Sequence, residues 1–150
     1  MLTAYIALGS NLGDRRGNIS LGVECLRRLG RVTPSPLVVE TDDESGLGPP
    51  YINTVVRLDT DLPDPCRILE ECLRIELECS RVRPAPKNSP RTMDLDLVAV
   101  DGLRGEWEWD SPADMLCLGP KLTLALPHPR AAARSFVVEP LVALEPGIKL

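Results

Sequence analysis

Aromatic side chains are scarce: they make up 3% of the 150 residues, with a single Phe at 136. So few rings make poor stacking platforms for nucleic-acid bases. Basic residues are outnumbered too, 17 Lys and Arg against 22 Asp and Glu, for a net charge of −5. That balance argues against nucleic-acid or anionic-membrane partners. There is one His, and the five cysteines at 25, 66, 72, 79 and 117 form no CxxC pair, so no zinc-ligand cluster is spelled out. An odd set without paired spacing reads as reduced thiols of a cytoplasmic protein. No apolar run approaches the roughly 18 residues of a membrane span. The first nine residues are apolar but lack a basic start, which argues against a secretory leader.

What is present is ordinary for a folded domain, with 43% hydrophobic and 26% charged residues. The length fits a single domain over residues 1–150, able to bury about two-thirds of its unfolded surface. Residues 3–8 read as a buried strand. Asp14 is a candidate N-cap for a helix carrying Ile19, Val23, Leu26 and Leu29 at helical spacing, with Gly30 as its stop. Residues 32–40, interrupted by two prolines, read as one imperfect edge strand. Residues 41–50 form a loop, and 51–58 are rich in strand formers. Asp64-Pro65 opens a second helix that runs to about Cys79. A basic, proline-broken loop over 80–91 leads to a strand at 93–100. Residues 101–120 read as irregular, followed by a short strand at 121–126 and a helix or loop from Ser135. The order β-α-β-β-α-β predicts a ferredoxin-like α+β fold, one antiparallel sheet with helices packed on it and a C-terminal extension. Cys72 and Cys79 would share one helix face about 10 Å apart, beyond the reach of a disulfide.

The sharpest chemical signal is Arg91-Thr92-Met93-Asp94-Leu95-Asp96-Leu97. On a strand Asp94 and Asp96 share one face, while Met93, Leu95 and Leu97 point to the core. Two carboxylates about 7 Å apart can hold hard cations on a polyphosphate; a solvated polar face gives the same pattern. Arg81, Arg83, Lys87 and Arg91 flank the pair with no acid among residues 81–91. These cations either balance charge or meet phosphate oxygens. Gly9-Ser10-Asn11-Leu12-Gly13, between strand and helix, is either a tight turn or an anion-facing loop, and it lacks the spacing of a Walker loop. His128, the lone histidine, has a structural reading as well. Tyr51 and Asn53 alternate on one strand face.

Taken together, these segments resemble the 6-hydroxymethyl-7,8-dihydropterin pyrophosphokinase family of the folate pathway. The resemblance is carried by residues 4–12, Tyr51-Ile52-Asn53, Glu76 with Arg81-Val82-Arg83, residues 90–97, Pro127-His128-Pro129-Arg130, Arg134-Ser135-Phe136 and Glu139-Pro140-Leu141. It implies transfer of pyrophosphate from ATP, the co-substrate, to the pterin hydroxymethyl group, with release of AMP. It further implies two Mg2+ ions on Asp94 and Asp96, and Arg81 and Arg91 acting on the phosphates during transfer. Glu76, Arg83, His128 and Arg134 fall at nucleotide-side positions. Thr41, Tyr51, Asn53 and Phe136 fall at the pterin pocket. Lys87-Asn88 stands where the family often has Arg-Trp. Two other readings remain at this stage. A ferredoxin-like module could bind ATP or pterin without turnover. An RNA-binding sheet would need exposed aromatics and a basic face, which this chain lacks.

Overall fold

The computed structural model describes residues 1–42, 46, 48–80 and 93–150. The chain opens with β1 (Leu2–Ser10), α1 (Arg15–Leu26), β2 (Gly30–Pro34), β3 (Val39–Thr41), β4 (Tyr51–Thr60), α2 (Pro65–Ser80) and β5 (Asp94–Val100). The strands order as β2-β4-β1-β5, all antiparallel, with β3 also on β4. The fourth strand unit therefore lies beside the first, and the third beside the second, as the ferredoxin-like arrangement requires.

Local chemistry sets the helix starts. Asp14 Oδ1 accepts from Gly17 N at 3.0 Å, and Asp64 Oδ1 accepts from Arg67 N at 2.9 Å. The first helix ends at Leu26 rather than running to a stop at Gly30, which instead begins β2. The single edge strand expected over 32–40 is two pieces. Pro34 ends β2 and Pro36 lies within the break, where Ser35 Oγ donates to the Pro140 carbonyl at 2.7 Å.

Residues 101–120 are not irregular. They contain β6 (Gly105–Asp110) and a 3-10 turn, Ala113–Leu118; β6 pairs with β7 (Lys121–Leu126) in a second, two-stranded sheet. Trp107 and Trp109 alternate inward against the main core while Glu106, Glu108 and Asp110 stay exposed. The tail ends in α3 (Ser135–Leu144).

The main sheet has two differently covered faces. Ile6, Leu8, Val56, Leu58, Leu95 and Leu97 pack beneath α1 and α2, with Leu26, Ile68 and Ile75 filling the layer. Gly22 lets α1 sit close, since a Cβ there would lie 2.8 Å from Met93 Sδ. On the opposite face Tyr5, Ala7, Val55 and Val98 pack with Val137 and Leu141 of α3. Further along that face lies the candidate site. No helix among the described residues is long and apolar enough to cross a membrane.

Candidate active site

Register brings residues from three strands into one row. Gly9 on β1 is the partner of both Asn53 on β4 and Asp94 on β5, and Ala7 is the partner of Asp96. The missing side chain at Gly9 makes this row possible. A Cβ there would lie 3.1 Å from Asn53 Oδ1 and 3.4 Å from Tyr51 Cδ1. Asn53 is 7% exposed, and its Nδ2 donates to Thr41 Oγ1 at 3.0 Å. That bond fixes which way the amide faces and leaves Oδ1 over Gly9. Thr41, Tyr51 and Asn53 thus meet at the β3–β4 edge. An oriented amide carries both a donor and an acceptor, as reading the edge of a heterocycle requires.

On β5, Asp94 and Asp96 are half-buried, while Met93, Leu95 and Leu97 are buried. The alternation is the one the sequence predicts. Glu76, on α2, reaches this strand: its Oε2 accepts from the Leu95 backbone N–H at 2.9 Å. Among the described residues β5 is the last strand of the sheet on this side, so the acid occupies a ladder donor that no neighbouring strand takes. Among the described residues no group of three or more His, Cys, Asp or Glu is gathered as a metal cage. Two adjacent carboxylates are instead the donor set of a hard cation that shares its shell with water and substrate phosphates. The donor chemistry therefore fits magnesium.

His128 follows β7 and is held against β5, its backbone N–H donating to the Val98 carbonyl at 2.7 Å. Its Nδ1 accepts from Arg130 N at 3.2 Å, so the neutral ring carries its proton on Nε2. Burial pushes this imidazole below its ordinary pKa; Asp96 pulls the other way, and Arg134 and Arg130 push down with burial. His128 thus feels both Asp96 and Arg134. The Arg134 guanidinium lies 5.6 Å from the centroid of Phe136, a cation–π arrangement at the start of α3. Phe136 packs against the cluster containing Ala7 and Val55, on the same sheet face as Asn53. Arg81, Arg83 and Arg91 lie outside the described residues.

The turn after β1 is tied to the protein by side chains. Asn18 Nδ2 donates to Ser10 Oγ at 3.2 Å and to the Leu12 carbonyl at 2.8 Å. Asn11 is 1% exposed and donates to the Pro49 carbonyl at 3.2 Å. Arg15 Nη1 reaches the Pro50 carbonyl at 2.9 Å. These bonds favour the tight-turn reading of residues 9–13 and anchor the approach to Tyr51. Sequence reasoning did not single out Asn18 or Arg15. An amide early in a helix was the available signal at Asn18; Arg15 offered none.

The profile of the 7,8-dihydro-6-hydroxymethylpterin-pyrophosphokinase family matches residues 5–146. A 2-amino-4-hydroxy-6-hydroxymethyldihydropteridine pyrophosphokinase of Pseudomonas aeruginosa is 36% identical over 149 residues, covering 97% of this chain and 82% of the relative. The enzyme of the same name from Bacillus subtilis is 33% identical over 148 residues, covering 94% and 77%. Among solved structures, an HPPK-DHPS chain in complex with substrates superposes with a TM-score of 0.76 at 13% identity, covering 99% of this chain. A Plasmodium falciparum HPPK-DHPS gives 0.75 at 13% identity, again over 99% of this chain. This chain spans about 40% of those longer ones. At that identity the structures speak for the fold. By the family profile and these relatives, the chain belongs to the 7,8-dihydro-6-hydroxymethylpterin-pyrophosphokinase family.

Proposed function

We infer that this protein transfers pyrophosphate from ATP to 6-hydroxymethyl-7,8-dihydropterin, giving the pterin diphosphate and AMP in folate biosynthesis. Family membership and the names of the relatives support the reaction. The single structural observation behind the assignment of residues is the Asn53–Gly9–Asp94 row, which sets an oriented amide beside a carboxylate pair.

In this reading the pterin ring lies at the Thr41, Tyr51 and Asn53 end, with Phe136 against its face. The ring edge exchanges hydrogen bonds with the Asn53 amide, which Thr41 holds in orientation. Asp94 and Asp96 would hold two magnesium ions, which when bound supply neutralisation of the triphosphate charge. Glu76 fixes the backbone between the two aspartates through Leu95 N–H. His128 and Arg134 serve the nucleotide side, together with Glu76 and Arg83. The pterin hydroxyl oxygen bonds to the β-phosphorus as the bond to the α–β bridging oxygen breaks. Arg81 and Arg91 offset the charge that builds on the departing AMP. Positioning of two bound substrates can itself contribute several kcal/mol, and no covalent protein intermediate is required. The cytoplasm is the proposed compartment, in keeping with five cysteines that lack paired spacing.

The test is AMP release from ATP, magnesium and 6-hydroxymethyl-7,8-dihydropterin. The reading expects pterin-dependent AMP that disappears when magnesium is chelated. ATP turnover that ignores the pterin would refute it.

A further inference from the structure

Cys25 and Cys79 are 54 positions apart in sequence, yet their sulfurs lie 3.7 Å apart where the ends of α1 and α2 meet. Cys25 is buried and Cys79 half-buried, so Cys79 is the more accessible of the two. Arg28 clamps both ends. Its Nε donates to the Cys25 carbonyl at 3.2 Å, and Nη1 and Nη2 donate to the carboxylate of Glu78 at 3.4 and 3.0 Å. The reaction assigned above uses neither cysteine. A disulfide would require the sulfurs to close by about 1.7 Å.

We infer that Cys25 and Cys79 form a reversible disulfide by exchange with a low-molecular-weight disulfide such as oxidised glutathione, tying α1 to α2. Cys79 loses its proton, and its sulfur attacks one glutathione sulfur. The glutathione S–S bond breaks, one glutathione leaves as a thiol, and Cys79 carries the other as a mixed disulfide. Cys25 then loses its proton and attacks the Cys79 sulfur, expelling the second glutathione. Two protein thiols are oxidised by two electrons, and one disulfide is reduced to two thiols. Burial, then the Cys25 contact and Glu78, push the Cys79 thiol up to about 11 against the opposing pull of Arg28. Exchange is therefore slower than at a free cysteine.

The test uses the full chain carrying Cys66→Ser and Cys117→Ser, which removes the other two cysteines that are not fully buried. After equilibration with excess oxidised glutathione in mildly alkaline buffer, the intact mass should fall by two hydrogens. Peptides containing residues 25 and 79 should be linked, and dithiothreitol should separate them. Closing a 54-residue loop should raise the unfolding temperature by about 10 °C. With Cys25→Ser added, the reaction should stop at a glutathione adduct on Cys79. An unchanged mass would overturn the inference. So would a Cys79 adduct in which Cys25 is still alkylated once the chain is unfolded, or a linked form that melts below the reduced one.

Discussion

Replacing Glu76 tests how far an acid on α2 holds the strand that carries the two aspartates. Glu76→Ala removes the acceptor that the Leu95 N–H reaches at 2.9 Å. Leu95 is 3% exposed, so water is a poor replacement. A buried donor left without its acceptor costs about 1–3 kcal/mol, toward the upper end when the acceptor was charged. A loss of about 2 kcal/mol lowers the unfolding temperature of a chain this long by roughly 4–8 °C. Glu76→Gln keeps an oxygen acceptor at the same reach and discards the charge, so it should lose less than half as much. The strand between Asp94 and Asp96 then stays in place in the Gln variant and relaxes in the Ala variant. In AMP release, Glu76→Ala should need more magnesium for half-maximal rate than Glu76→Gln. Thermal unfolding followed by circular dichroism, with magnesium titration of both variants, measures the two effects together. An Ala variant that melts with the wild type, or Ala and Gln variants that fall equally, would refute the reasoning.

Asp94→Asn and Asp96→Asn should each nearly abolish AMP release while the unfolding temperature stays near wild type; near-normal turnover at saturating magnesium would defeat the metal assignment. Gly9→Ala sets a methyl 3.1 Å from Asn53 Oδ1, and should raise the KM for the pterin more than that for ATP. Burial alone would raise Asp59, but the Thr3 hydroxyl and Arg57 outweigh it and hold its carboxyl below 3.8. Its contribution is present above the unfolded pKa and lost as pH falls through the lower folded one. Asp59→Asn should therefore cost about 1–2 kcal/mol in urea unfolding at neutral pH, a gap that closes below about pH 4. Cys72 is fully buried, with its thiol pushed up chiefly by burial, and should resist alkylation until the chain unfolds.

Period-two alternation made the site's sheet face legible in advance. Asp94 and Asp96 against Met93, Leu95 and Leu97 needed only a strand, as did Tyr51 and Asn53. The β6–β7 hairpin was missed although Glu106-Trp107-Glu108-Trp109 alternates perfectly, because acidic residues are poor strand formers and the run stands far from the βαββαβ pattern. The inward side chains are rings that pack on the main core, and Trp109 Nε1 donates to Glu70 Oε2 on α2 at 2.9 Å. Tertiary packing supplies what propensity withholds. The Glu76–Leu95 bond and the Cys25–Cys79 contact were illegible for a related reason. Each depends on how α2 lies against another element, and spacing along one helix does not encode that. Thr41 and Asn53 share the same limit, since their bond appears only when β3 pairs with β4.

The row centred on Gly9 also bears on how the chain folds. Asn53 comes 44 residues after Gly9, and Asp94 comes 85 residues after it. Contacts this remote along the chain must overcome loop-closure entropy before they contribute stability, which slows the assembly of such sheets. During synthesis, β1 can zip onto β4 well before β5 has emerged. That half-built sheet holds the Asn53 amide and lacks both aspartates. In the proposed reading, competence to bind a magnesium nucleotide thus arrives only with β5, the edge strand that carries both aspartates. On that reading ATP binding would report completed folding and stabilise that state alone. A nucleotide present at 100 times its dissociation constant adds about 2.7 kcal/mol to the finished protein and nothing to the partly zipped one.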